Sequence, residues 1–140
     1  MGRVLAIDYG RKRCGIAVTD PLRITATALA TVPAAGLEKF LLDYTAANPV
    51  DLIVVGLPVT LRGEPSESMR YIEPALRRLR KVLPAMEFEM WDERFTSTLA
   101  HASLLEAGYG RKQRQDKDAI DRIAATIILN SWLDARQGRP

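Results

Sequence analysis

Short apolar runs alternate with polar turns along the first third of the chain, and each run has the length of a β-strand. Residues 4–7 form an apolar run, residues 15–19 form a second one, and residues 23–32 alternate, with Ile24, Ala26, Ala28 and Ala30 facing one way. Apolar runs and alternations of this length, bounded by turn residues, are typical of strands. Because only short turns separate these three strands, the pattern predicts an antiparallel meander.

Helical spacing takes over after Gly36. Leu37, Phe40, Leu41 and Tyr44 recur at steps of three and four, which predicts a helix ending near residue 47. Residues 50–57 lack a polar face and predict a buried parallel strand. A second helix is predicted from residue 66, and Pro74 inside its pattern predicts a kink or a restart.

A fifth strand is predicted at residues 87–91, followed by helices at 96–108 and 118–135. The resulting order is βββαβαβαα, which predicts an α/β fold with a mixed five-stranded sheet and helices on both faces. We find no internal repeat and no linker, so residues 1–140 are predicted to form a single domain.

Composition narrows the class of protein. The chain has 140 residues, a net charge of +3 and one cysteine. No apolar run approaches the ~20 residues of a membrane-spanning helix, and a lone Cys14 cannot form an intramolecular disulfide, so we expect a cytoplasmic protein without a membrane segment. Cys14, inside the second strand, is predicted to be a small core residue.

Basic residues cluster in three places along the chain. The first cluster follows the first strand, the second lies in the predicted second helix, and the third lies in a polar segment before the last helix. We expect the helical cluster to be a solvated face and the other two to contact phosphate groups. The clusters are Arg11-Lys12-Arg13; Arg77, Arg78, Arg80 and Lys81; and Arg111, Lys112 and Arg114.

Carboxylates occur where a solvated surface is a poor explanation for them. Asp8 ends the apolar first strand, where it either caps a turn or binds a metal ion. Asp92 and Glu93 end the fifth strand, and Asp118 and Asp121 open the last helix. Asp118 is well explained by the helix dipole, whereas Asp121 shares a stripe with apolar residues.

Carboxylates that converge from separate elements repel one another unless a cation lies between them. A hard divalent ion, Mg²⁺ or Mn²⁺, meets that need because it prefers oxygen ligands. The single histidine, His101, is expected to be solvated in the middle of a helix.

These residues resemble the YqgF/RuvX family, whose members are described as Holliday-junction resolvases and pre-16S ribosomal RNA nucleases, and more broadly the ribonuclease H-like fold. The resemblance covers nearly the whole chain. It rests on four motifs in order: Ala6-Ile7-Asp8-Tyr9-Gly10 with Arg13, Gly15, Ala17, Val18 and Asp20; Gly56-Leu57-Pro58 with Gly63; Asp92-Glu93-Arg94 with Thr96; and Ile120-Asp121 with Ala124, Ala125, Ile128 and Leu129.

The resemblance implies that Asp8, Glu93 and Asp121 are the catalytic, metal-binding acids of a nuclease. Asp92 is an alternative to Glu93, since related resolvases take their second acid from the fourth strand, which here ends without one. Arg94 either orients a scissile phosphate or forms a structural salt bridge.

The chain also departs from the family pattern. Thr60 stands where the family often has Asn, Glu64-Pro65 where it has a Thr-Glu pair, and Ser97 where it has Thr. These departures concern substrate contacts rather than the acids.

The leading hypothesis is a metal-dependent endonuclease of structured nucleic acid that processes ribosomal RNA precursors, with cleavage of DNA junctions as the alternative. The RNA preference comes from the resemblance alone. A non-catalytic nucleic-acid or ribosome-binding module is a third reading. An actin-like or sugar-kinase ATPase is a fourth hypothesis, but 140 residues are too few for the two lobes of such an enzyme. The sequence also leaves the oligomeric state undecided. Trp132 is expected either in the core, which we favour, or at the interface of a homodimer.

Overall fold

The computed structural model describes residues 2–57, 69–92 and 117–136, with the side chains of the last range described from residue 123 onward. The predicted helix at 96–108 lies outside these ranges. The described elements are β1 (Arg3–Tyr9), β2 (Arg13–Thr19), β3 (Ala26–Pro33), a 3₁₀ turn (Ala34–Gly36), α1 (Leu37–Ala47), β4 (Val50–Leu57), α2 (Met69–Val82), β5 (Glu87–Asp92) and α3 (Lys117–Arg136).

The predicted five-stranded mixed sheet is confirmed. Its strand order is β3-β2-β1-β4-β5. β1, β2 and β3 pair antiparallel, whereas β1, β4 and β5 run parallel to one another. β1 therefore lies at the centre of the sheet, between its antiparallel and its parallel halves.

Each face of the sheet has its own hydrophobic core, because successive residues of a strand point to opposite faces. Leu5 and Ile7 pack with residues of α1 and α2. Val4 and Ala6 pack with residues of α3, among them Trp132, which is 4% exposed. Helices thus cover both faces, and Trp132 belongs to the core, as predicted. Cys14 is also buried in the core.

The β2–β3 connection differs from its prediction. β3 begins at Ala26 rather than residue 23, because the Asp20 carboxylate accepts hydrogen bonds from the backbone N–H groups of Leu22, Ile24 and Thr25 at 3.1, 2.8 and 2.8 Å. Arg23, inside this turn, has a φ of 57°. Because the Asp20 carboxylate accepts hydrogen bonds from three backbone amides, these amides are satisfied in the turn without pairing to a neighbouring strand.

The alternation predicted for β3 is also wrong. Ala28 pairs with Ala17, but Ala30 pairs with Ile16, and the register shifts between the two pairs. Ala17 and Ile16 belong to the cores on opposite faces of the sheet. A bulge therefore places Ala28 and Ala30 on opposite faces instead of the same one.

Pro74 lies inside α2, and the helix continues through it from Met69 to Val82. Of the two predicted alternatives, the restart is wrong and the kink stays a prediction, since the proline removes one backbone hydrogen bond. Ile72, Ala75, Leu76 and Leu79 are buried, and their packing against the sheet holds the helix together. Within the described ranges, none of the helices is long and apolar enough to cross a membrane.

The C-terminal half of α3 lies toward the amino ends of β4 and β5. Trp132, Leu133 and Arg136 line a cavity together with Asp51, Leu52 and Glu87, which are residues at those amino ends. The Trp132 indole donates a hydrogen bond to Glu89 at 2.6 Å, and Arg136 forms an ion pair with the same carboxylate at 3.2 Å. These contacts set the direction in which α3 crosses the sheet.

Candidate functional site

Asp8 lies at the carboxyl end of the central strand. It follows four residues, Val4 to Ile7, that are at most 1% exposed, and it is itself half-buried. The alternation of β1 places Asp8 on the same face as Val4 and Ala6, which is the face covered by α3. A half-buried carboxylate at the end of an apolar strand retains its charge only with partners that compensate the lost hydration.

Glycines flank Asp8 on both neighbouring strands. Gly15 of β2 pairs directly with Asp8, and Gly56 of β4 follows Val55, the partner of Ile7. Neither neighbour has a side chain, so no Cβ atom stands beside the Asp8 carboxylate on β2 or β4, although both glycines are themselves buried. A glycine inside a strand often marks a close approach of a ligand or another backbone. Sequence reasoning missed this role for Gly15, whose position within an apolar strand was the signal.

Asp92 ends β5 at the same edge but lies on the other face. Gly56 pairs with Trp91, and Trp91 packs with the α3-side core, whereas Met90 packs with the core under α1 and α2. Alternation therefore places Asp92 with Met90, away from the face of Asp8. The structure does not bring Asp92 and Asp8 together on one face.

Asp118 and Asp121 lie in the first turns of α3, and their side chains are outside the described residues. The helix rises about 16 Å between positions 121 and 132 at about 1.5 Å per residue, and β4 advances about 17 Å from Leu52 to Leu57. Since position 132 lies toward the amino ends of the strands, a helix running along β4 from there would bring position 121 to their carboxyl ends. Asp121 also precedes the fully buried Ala125 by one turn.

Most of the other predicted site residues lie outside the described ranges. Within those ranges, no three histidine, cysteine or acidic side chains converge on one point. Of the predicted ligands, Glu93 and the side chain of Asp121 lie outside these ranges. The predicted site residues outside the described ranges are Glu93, Arg94, Arg111, Lys112 and Arg114.

The basic turn after β1 lies at the same edge as Asp8. Arg11 and Lys12 are exposed, whereas Arg13 is half-buried at the start of β2. The backbone N–H of Ala34 donates a hydrogen bond to the carbonyl oxygen of Lys12 at 2.9 Å. This bond ties the turn to the end of β3, so the turn is held in one position beside Asp8.

Tyr9 follows Asp8 and points to the opposite face, where its ring lies 6.2 Å from that of Tyr71 in α2. Burial raises the pKa of the Tyr9 hydroxyl, and the neighbouring Cys14 raises it further. The phenol is therefore neutral at physiological pH. This contact joins the start of α2 to the end of β1.

Comparison with known proteins agrees with this architecture. The family model described as "RuvX: Holliday junction resolvase" matches residues 2–135. The chain belongs to the RuvX family. Relatives named "Putative pre-16S rRNA nuclease" from Parabacteroides distasonis and Bacteroides thetaiotaomicron are 49% and 50% identical over 137 residues, which cover 98% of this chain and 98–99% of theirs. A relative of the same name from Porphyromonas gingivalis is 51% identical over 134 residues.

A likeness in fold extends beyond the RuvX family. RuvC of Thermus thermophilus, solved in complex with a Holliday junction substrate, superimposes with a TM-score of 0.64 at 15% identity, covering 99% of this chain and 97% of that one. A second structure of RuvC from the same organism gives a TM-score of 0.57. RuvC has the ribonuclease H-like fold, so the predicted fold class is confirmed.

Proposed function

We propose that this RuvX-family chain is a divalent-metal-dependent endonuclease that cuts structured nucleic acid at the carboxyl edge of its sheet. One observation carries the proposal: Asp8 ends the central strand on the α3 face, with only glycine beside it on β2 and β4. Glycine at both neighbouring positions lets a cation or a phosphate come close to the backbone beside this half-buried carboxylate.

In this proposal Asp8, Glu93 and Asp121 hold the metal ion. The length of α3 supports Asp121, because the ~16 Å of helix between positions 121 and 132 match the length of β4 from its amino to its carboxyl end, where Asp8 lies. The placement of Asp92 on the opposite face supports Glu93 as the acid that follows β5. When bound, Mg²⁺ or Mn²⁺ would supply charge stabilisation to a phosphodiester undergoing in-line displacement.

The chain's own residues orient the substrate. Arg11 and Lys12 are exposed on the turn beside Asp8, where they can bind phosphates on either side of the cleaved bond. The Lys12 carbonyl is bonded to Ala34, which limits the movement of these cations. We extend the same role to Arg13, Arg94, Arg111, Lys112 and Arg114.

A ribosomal RNA precursor is the substrate that we favour. The names of relatives that are about half identical over nearly the whole chain support this choice. Such a substrate would place the enzyme in the cytoplasm. The description of the family model and the RuvC complex favour a second candidate, a four-way DNA junction.

Cleavage of both substrates tests the proposal. A labelled pre-16S RNA fragment and a four-way DNA junction are incubated with and without Mn²⁺, using the wild type, Asp8→Asn and Asp92→Asn. Asp92→Asn is a matched control, because it removes one charge at the same edge but on the other face. Circular dichroism melts establish that both variants fold.

We expect Mn²⁺-dependent cleavage by the wild type and by Asp92→Asn, and a loss of at least ~100-fold in Asp8→Asn. The substrate that is cleaved faster decides between RNA and DNA. Cleavage that survives in Asp8→Asn, or is lost equally in Asp92→Asn, would contradict the assigned site. Binding of either substrate without any cleavage would instead support a non-catalytic binding module.

A further inference from the structure

We propose that the outer face of α2 is a second phosphate-binding surface, which holds the substrate's backbone beyond the catalytic edge. This inference rests on the proposed function, since it assigns a further part of the same nucleic acid to a surface outside the site. We call this surface the α2 basic face. Its members are the exposed cations Arg70, Arg77, Arg80 and Lys81.

The α2 basic face is strongly charged for its size. α2 carries one further cation, Arg78, and a single acid, Glu73. The buried side of the helix is apolar, so every one of its charged residues is exposed to solvent. A surface with this excess of positive charge attracts a polyanion, and nucleic acid is the polyanion that the proposed function supplies.

Within the part of the chain that the structure describes, ion pairing does not account for these cations. Arg78 is paired with Glu38 of α1 at 3.2 Å. Among the residues that the structure describes, no ion pair involves a member of the α2 basic face. Arg77 lies three and four residues before Arg80 and Lys81, and like charges at these spacings repel one another on a helix. A bound phosphate would relieve that repulsion.

The helix dipole explains only part of the charge pattern. Arg80 and Lys81 lie in the last turn of α2, where a cation interacts favourably with the negative end of the dipole. Arg70 and Arg77 lie outside the last turn and gain nothing from this effect. Arginine is also the cation best suited to phosphate, because its planar guanidinium donates two parallel hydrogen bonds.

The location of the surface connects it to the catalytic edge. Tyr71, next to Arg70, contacts Tyr9, which directly follows Asp8. From position 70 to position 81 the helix rises about 16 Å, which corresponds to about five nucleotides at ~3.4 Å per step along a duplex. Because α2 covers the face opposite to that of Asp8, a nucleic acid bound at Asp8 would reach the α2 basic face by passing around the carboxyl edge of the sheet, along Arg11 and Lys12.

Equilibrium binding tests this surface. The full chain carrying Arg77→Gln and Arg80→Gln is titrated against a fluorescent pre-16S RNA fragment and a four-way DNA junction, in EDTA, over a series of salt concentrations. Each phosphate contact contributes about 0.7–0.9 to the slope of log K against log salt. We expect the slope to fall by about 1.5 and the affinity at low salt to fall about ten-fold or more.

The matched control is Lys39→Gln with Arg136→Gln. It changes the net charge equally, but its two cations lie on other helices and are paired with Asp43 and Glu89. We expect this control to bind like the wild type. In cleavage assays, the α2 variant should raise KM and leave kcat unchanged, because the surface lies away from the reacting phosphate.

Two results would overturn the inference while leaving the nuclease assignment intact. One is an α2 variant that binds and cuts like the wild type, which would leave the face solvated or available to an acidic protein. The other is an equal loss in the α2 variant and the control, which would show an effect of net charge alone. A wild type that binds neither nucleic acid would refute the proposed function, and this inference with it.

Discussion

Replacing Gly10 by alanine tests how closely the turn beside Asp8 is packed. A Cβ atom at position 10 would lie 2.3 Å from the carbonyl oxygen of Arg13. Because the atom that the new Cβ would meet belongs to the backbone, relief of the clash has to come from the backbone and not from a flexible side chain. The turn cannot open freely, because the N–H of Ala34 is bonded to the carbonyl of Lys12 at 2.9 Å. Relief of the clash requires a shift of about 1 Å, and overpacking of this kind costs about 1–3 kcal/mol.

Gly36 offers a matched control. A Cβ atom there would meet nothing within 4 Å, and the φ of −99° suits any residue. Gly36→Ala should therefore be neutral or stabilising, by up to about 1 kcal/mol, because alanine restricts the unfolded chain. The two substitutions make the same chemical change and differ only in the space around it.

Thermal melts and metal-dependent cleavage measure the outcome. We expect Gly10→Ala to lower Tm by about 4–12 °C and cleavage by up to about 100-fold, because a shift of 1 Å moves Arg11 and Lys12 relative to the substrate. Gly36→Ala should match the wild type in both assays. A Gly10→Ala protein as stable and as active as Gly36→Ala would refute the reasoning.

Three further predictions follow from other contacts. Trp132→Phe removes a part-buried hydrogen bond to the Glu89 carboxylate and should cost about 1.5–3 kcal/mol in urea unfolding. Arg136→Gln removes an exposed ion pair with Glu89 and a cation–π contact with the Trp132 ring at 5.1 Å and should cost about 1 kcal/mol. The reverse ranking would contradict this prediction. Hydrogen bonds from the backbone, first that of Thr25, hold the pKa of Asp20 below its ordinary value of 3.8. The stability that Asp20 contributes is therefore present above pH 3.8 and is lost as the pH falls through the folded-state pKa. Asp20→Asn should then flatten the acid side of a curve of unfolding free energy against pH. An unchanged curve would contradict this prediction. Removal of divalent metal with EDTA should abolish cleavage, and added Mn²⁺ should restore it; cleavage that persists in EDTA would exclude a metal-dependent reaction.

The pattern of apolar and polar residues within each segment predicted most of the described helices and strands. The apolar run before Asp8 has no polar face, so its burial in the centre of a sheet follows from composition alone. The helical spacing from Leu37 likewise predicted α1 to its last residue, Ala47. The error at the start of β3 also has a local cause. Asp20 lies two to five residues before the three amides that it binds, so the turn could have been predicted from that side chain.

The bulge in β3 could not be predicted in this way. It exists because Ile16 and Ala17 pair with residues of a neighbouring strand two positions apart, and no property of residues 26–33 alone requires it. Pro74 is a similar case. Its local preference favours a break, and the buried side of α2 outweighs that preference through packing against the sheet.

The sequence by itself determined the types of the described elements, their order, the family, and the choice of Asp8 as an acid that a core strand would not carry without a purpose. The surroundings of that acid were decided only by the tertiary structure. Gly15 and Gly56 are distant from each other in the chain and meet Asp8 only through the strand register. The same register separates Asp92 from Asp8. Register depends on long-range pairing, and a shift of one residue would move every side chain to the opposite face.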